Sequence, residues 1–119
     1  MADPTTLEER FGKCPCATAQ RLISGKWAVL ILMYLEEGPV RSNKLNRKMP
    51  RMTHATLSVQ LKDLEGYGLI QRRQYGGIPA KVEYSLTEIG KRFHPVVAAM
   101  AARGNEYIAQ MRGQQEAGK

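Results

Sequence analysis

The apolar pattern of this chain changes from helical to alternating at Gly66, and that change restricts the fold more than any other feature of the sequence. Before Gly66 the pattern is helical and comes in short pieces. Ser42 can cap a helix that holds Leu45 and Met49 inward and stops at Pro50, because the residue preceding a proline is forced out of the helical region. Thr53 can cap a second helix in which Leu57, Leu61 and Leu64 line one face up to Gly66. Only Pro50-Arg51-Met52 separates the two, which is the spacing of a helix-turn-helix. After Gly66 the period falls to two. Residues 69–75 and 81–86 read as strands, the second alternating Val82, Tyr84 and Leu86 with Lys81, Glu83 and Ser85. Gly76-Gly77-Ile78-Pro79 makes the hairpin loop between them.

The flanks are helical. Thr5-x-x-Glu8 and Thr6-x-x-Glu9 fit capping boxes and put Leu7 and Phe11 on one helical turn. Pro15 suits the first position of a helix running to about Ile23 and broken at Ser24-Gly25. Trp27, Leu30, Ile31, Tyr34 and Leu35 then form an amphipathic stripe that ends at Glu36-Glu37-Gly38-Pro39. Thr87-Glu88 opens a final helical region to about Arg112, kinked near Pro95. A helix-turn-helix followed at once by a hairpin is the layout of a winged helix. The fold class expected is therefore mostly α with a small β-hairpin wing, dimerising through terminal helices. The 119 residues suit one domain, divided here into an arm (1–13), a winged helix-turn-helix (14–95) and a dimerisation helix and tail (96–119).

Charge narrows the partner. Eighteen Lys and Arg against eleven Asp and Glu give +7, which favours a polyanion. The excess is concentrated: Arg41, Lys44, Arg47, Lys48, Arg51 and Lys62 fall in a stretch, 41–62, with no acid at all. With the leucines turned to the core, the helix begun at Thr53 points Ala55, Thr56, Ser58, Val59 and Lys62 outward. That face suits the major groove of double-stranded DNA. Thr56 and Ser58 can hydrogen-bond base edges or phosphates, Ala55 and Val59 can only make apolar contact, as with a thymine methyl, and Lys62 meets phosphate. The other cations would flank the groove and neutralise phosphates without reading sequence. Arg72, Arg73 and Lys81 are the wing's candidates. Strand alternation sends Arg72 and Arg73 to opposite faces, so at most one reaches DNA from the strand.

Val96 to Ala102 is a run of seven apolar residues. Val97, Met100, Gly104, Tyr107, Ile108 and Met111 continue the stripe at spacings of three and four. One small domain cannot cover it, whereas a second copy, with the arm's Leu7 and Phe11, can. A homodimer would bind a pseudo-palindromic site.

Other chemistries find little support. The two cysteines, Cys14 and Cys16, are too few for a disulfide scaffold. They do not have the Cys-x-x-Cys spacing of a thiol oxidoreductase. His54 and His94 lie far from them in sequence and read as structural or solvent-facing, so no metal site is expected. Trp27 and Tyr84 read as core. No catalytic set or phosphate loop stands out, and neither enzyme activity nor a cofactor is expected. An RNA- or protein-binding module is the alternative, though Tyr75 is the one aromatic on the basic face where RNA would want several. The longest apolar run, Trp27 to Leu35, has nine residues against the ~20 of a membrane-spanning helix. The polar first 13 residues resemble no signal peptide, and a cytoplasmic protein with no membrane association is expected.

The motifs resemble one family in particular. Cys14-Pro15, Gly25-Lys26-Trp27, Gly38-Pro39 followed by Arg41, Leu45 and Pro50, then Leu61-x-x-Leu64-Glu65-x-x-Gly68-Leu69-Ile70-x-Arg72, and 79–90 as Pro-Ala-Lys-Val-Glu-Tyr-Ser-Leu-Thr-Glu-Ile-Gly occur in order. In combination they are similar to the HxlR family of small winged-helix transcription regulators, related to the MarR type. The resemblance implies a dimeric, DNA-binding regulator. Ser42, Arg51, Ala55 and Val59 depart from the family's usual residues on the DNA-facing elements, so operator sequence does not transfer.

Cys14 also matches the N-terminal cysteine through which some members of that family sense oxidants, quinones or aldehydes. Its position agrees: before Pro15 it stands at a helix N-cap, where the dipole, free N–H groups and Lys13 favour a thiolate. Cys16 is the weaker candidate. A small electrophile or oxidant is the input expected, and a non-covalent ligand at the dimer interface is the alternative.

Overall fold

The computed structural model describes residues 13–78 and 81–117. The arm with Leu7 and Phe11, and Pro79 and Ala80 of the hairpin loop, lie outside the described residues. Helix α1 (Pro15–Leu22) starts on its proline, with Cys14 as an extended N-cap. Pro15 needs no N–H there, and its fixed φ already matches the helix. Helix α2 (Ala28–Tyr34) begins one residue after Trp27, its N-cap.

The stripe read from Trp27 is rotated in the structure. Ala28, Ile31, Leu32 and Leu35 are buried, while Trp27, Leu30 and Tyr34 are half-buried at the edge of the core. A periodic run of nine apolar residues leaves the direction of its face open. The decision comes from packing, because α2 also meets the C-terminal helix.

Strand β1 (Val40–Arg41) leads straight into α3 (Ser42–Lys48). The cap expected of Ser42 is therefore displaced. Arg41, still extended by its strand pairing, is the N-cap, and Ser42 is the first helical residue. Helix α4 (His54–Gly66) is capped by Thr53, whose side chain accepts the backbone N–H of Thr56. Strands β2 (Ile70–Tyr75) and β3 (Lys81–Leu86) pair antiparallel from Ile70↔Leu86 to Tyr75↔Lys81. β1 adds on the other edge of β3, with Val40↔Tyr84 and Arg41↔Glu83, so the sheet order is β1-β3-β2.

The final region holds two helices in place of one kinked helix: α5 (Glu88–Lys91) and α6 (His94–Ala117). Pro95 falls in the first turn of α6, where its missing donor breaks no helical bond. Thr87 joins the wing to α5. Its hydroxyl lies 2.6 Å from the carbonyl oxygen of Gly68 and 3.1 Å from that of Leu69. The same hydroxyl accepts the N–H of Gly90 at 3.1 Å. Gly90 sits directly over Leu69, and a Cβ there would collide with the Leu69 carbonyl oxygen.

One core unites these elements, with Ile31, Leu32, Leu35, Leu45, Leu64, Leu69 and Ile70 fully buried. Val97 of α6 belongs to it at 4% exposure. This overturns its assignment to a dimer face. The run 96–102 is apolar all round, and where α6 crosses α2 one residue of it must turn inward.

Candidate nucleic-acid interface

The turn between α3 and α4 is held from beneath. Met49 and Met52 are both buried, and the N–H of Met52 donates to the Met49 carbonyl at 3.1 Å. Pro50 and Arg51 between them stay exposed. Met52 went unnoticed in the sequence because it lies outside any periodic segment. The hydroxyl of Tyr34 reaches the Lys48 carbonyl at 3.5 Å, further fastening the end of α3 to α2.

On α4, Leu57, Leu61 and Leu64 are buried. Ala55, Thr56, Ser58, Val59 and Lys62 are exposed, as expected. Thr53 Oγ1 and Thr56 Oγ1 lie 2.9 Å apart in a hydroxyl–hydroxyl hydrogen bond. Gln60, the carboxamide of this helix, is half-buried. A Cβ built on Gly25 would strike Gln60 Oε1, so the amide is turned against the α1–α2 turn and away from the open face. Asp63 and Glu65 come only in the last turns. The first ten residues after Met52 therefore carry no negative charge, and the helix presents its N-terminal half.

Arg41, Lys44, Arg47, Lys48 and Arg51 are all exposed around this helix. The ion pairs among the described residues are Lys91–Glu88, His94–Glu36 and Arg103–Glu106, and none involves these cations. The Lys48 ammonium lies 5.2 Å from the centroid of the Tyr34 ring, which holds its charge over an aromatic face.

On the wing an acid stands among the cations. Glu83 stands directly opposite Arg41 on one side and Arg73 on the other, and directly paired side chains are close neighbours. It also accepts the Tyr75 hydroxyl at 3.0 Å. Arg41 and Arg73 thus flank one acid across the ladder, without an ion pair to it among the described residues. Arg72 stands opposite Tyr84 in the ladder, and its Nη1 lies 3.4 Å from Gln74 Oε1. Lys81 is exposed at the base of the hairpin loop.

Cys14 and Cys16 are both free and exposed. The Cys14 carbonyl accepts the N–H and the hydroxyl of Thr18 at 2.9 and 2.8 Å, fixing the cysteine at the helix start, and its side chain makes no cap bond. Among the described residues no cluster of His, Cys, Asp and Glu could hold a metal ion. His94 Nδ1 lies 3.0 Å from Glu36 Oε1, and His54 is exposed at the start of α4. Along α6, Met100, Tyr107, Ile108 and Met111 are exposed, and Val96 joins them at 40%. Gly104 is exposed on the same helix. No helix among the described residues is long and apolar enough to cross a membrane.

A tri-helical helix-turn-helix joined to a three-stranded wing defines a winged-helix protein of the kind found in transcription regulators. Comparison with known proteins narrows this further. Residues 22–112 match the HxlR-like helix-turn-helix family. YdeP of Bacillus subtilis (strain 168), described as an uncharacterized HTH-type transcriptional regulator, is 40% identical over 97 residues, covering 82% of this chain and 76% of that protein. Two solved structures are similar across most of the fold. The redox regulator HypR in its reduced form superposes with a TM-score of 0.79 at 33% identity, covering 84% of this chain and 99% of that one. The reduced form of the transcriptional regulator YodB from B. subtilis gives 0.70 at 30%, covering 79% and 93%. The chain belongs to the HxlR-like helix-turn-helix family of transcriptional regulators.

Proposed function

We propose that this regulator is a cytoplasmic homodimer that binds a pseudo-palindromic site in double-stranded DNA and is released by a thiol-reactive or oxidative signal at Cys14. The observation that carries the DNA reading is the surface around α4: an acid-free helix N-terminus with a small exposed face, ringed by exposed cations. Ala55, Thr56, Ser58 and Val59 face the bases. Lys44, Arg47, Arg51 and Lys62 neutralise phosphates. Lys48 contributes less, its ammonium lying over the Tyr34 ring, and Arg41 adds its charge at the edge of the sheet. On the wing, Arg72 reaches the backbone or minor groove ahead of Arg73, with Lys81 beside the loop.

Residues 14–95 form the DNA-binding unit, and the helix over 96–119 forms the dimer. The exposed line of Met100, Gly104, Tyr107, Ile108 and Met111, extended by Val96, pairs with its copy. Val97 anchors that helix to its own protomer. The spacing of the two α4 helices is then set at the dimer interface, where an input can change it. For the signal, an oxidant removes two electrons and two protons from Cys14 and a second thiol across the dimer, forming a disulfide. The similarity to a redox regulator solved in reduced and oxidised forms supports this reading.

Footprinting of the full chain on its own upstream DNA, before and after a mild oxidant, tests both parts. Two protected half-sites about one helical turn apart, lost on oxidation in the parent but kept in Cys14→Ser, are expected. Equal loss in both proteins would remove Cys14 as the trigger, and absence of protection would remove the DNA reading.

A further inference from the structure

We propose that α4 reads thymine by its methyl group, with Val59 as the specificity-determining residue and Ala55 beside it. This rests on the DNA-binding reading above and names what that face recognises. At about 100° per residue, Ala55 and Val59 lie almost diametrically opposite the buried Leu57, Leu61 and Leu64. They are one turn apart on the outermost line of the helix, the line that goes deepest into a groove. Val59 is 57% exposed, a branched apolar side chain left in water at the centre of a basic surface.

The groups that read other bases are missing from that line. Paired hydrogen bonds to guanine or adenine come from Arg, Lys, Asn or Gln. Helix α4 has no Arg or Asn, and its Gln60 is turned against Gly25. Lys62 stands nearly a turn beyond Val59 and is followed at once by Asp63. It therefore lies where a helix entering by its N-terminus has risen towards the phosphates. His54 lies on the core side of Ser58 around the helix. Thr56 and Ser58 flank the line, and their hydroxyls accept or donate to several bases alike. What remains at the centre is apolar surface. In the major groove the C5-methyl of thymine is the one apolar group on a base edge.

The full-length protein is used to select duplexes from a random library, and a selected duplex is resynthesised with uracil replacing each thymine in turn. Uracil removes one methyl and leaves pairing intact. Thymine enriched in both half-sites is expected, with about fourfold weaker binding when the contacted methyl is removed. Val59→Ala, at an exposed position that folding does not require, is expected to shrink that penalty below about twofold. An equal uracil penalty in the parent and in Val59→Ala, or selected sites without thymine enrichment, overturns the assignment while leaving DNA binding standing. A library from which no duplex is retained overturns the DNA-binding reading itself.

Discussion

Replacing Gly90 with alanine tests the joint that holds the wing to the C-terminal helices. The Cβ of an alanine would collide with the Leu69 carbonyl oxygen. That oxygen accepts the Thr87 N–H at 3.1 Å and lies 3.1 Å from the Thr87 hydroxyl. The neighbour in the way is backbone inside a paired junction, so it has little room to yield. Overpacking of this kind costs about 1–3 kcal/mol. Displacing the junction weakens two hydrogen bonds worth about 1 kcal/mol each. With about half of the hydrogen-bond energy lost, the sum is about 2–4 kcal/mol, which lowers the melting temperature by about 8–16 °C for a domain of this size. The assay is thermal unfolding followed by circular dichroism at a single protomer concentration, since the proposed dimerisation would make the midpoint concentration-dependent. Gly113→Ala is the matched control. Gly113 lies in α6 with open space around its would-be Cβ, and alanine there is expected to raise stability by up to about 1 kcal/mol. A Gly90→Ala protein melting within about 2 °C of the parent would refute the reasoning.

Other changes address separate parts of the molecule. Thr53→Ala removes the side-chain acceptor of the Thr56 N–H, 3.1 Å away, and is expected to cost about 1 kcal/mol in denaturant unfolding. Ile108→Glu puts a charge on the exposed apolar line of α6 and is expected to give monomers or insoluble protein in sedimentation. A soluble monomer for the unmodified chain would end the dimer proposal. Thr56→Ala and Ser58→Ala are expected to alter which operator variants are preferred in competition binding more than they alter affinity for random duplex.

Legibility followed the length of the signal. Helix α4 was readable because Leu57, Leu61 and Leu64 repeat at helical spacing behind a capping threonine, and its exposed face followed from the same wheel. β1 has two residues, too few to show a period, and its absence from the sequence reading also misplaced the α3 cap by one residue. Val97 was assigned to the wrong surface because a helix apolar all round carries no record of which side its own core takes. The largest omission concerned charge. Glu83 lies outside the acid-free stretch 41–62, yet the sheet sets it between Arg41 and Arg73. Only the strand register reveals that two of the candidate phosphate contacts stand opposite an acid. Likewise the turning of Gln60 away from the exposed face of α4 depends on Gly25, thirty-five positions away in the chain.

The central claim is that the α4 surface binds duplex DNA by neutralising phosphates, and the salt dependence of binding tests it most directly. Affinity of the parent, Arg47→Ala and Lys62→Ala for one duplex is measured from low to physiological salt. Both side chains are exposed and take no part in an ion pair among the described residues. Each substitution is expected to flatten the plot of log affinity against log salt by about 0.9 for every protomer bound, and to weaken specific and random duplexes alike. Slopes for both variants that coincide with the parent's would contradict the placement of this surface on DNA.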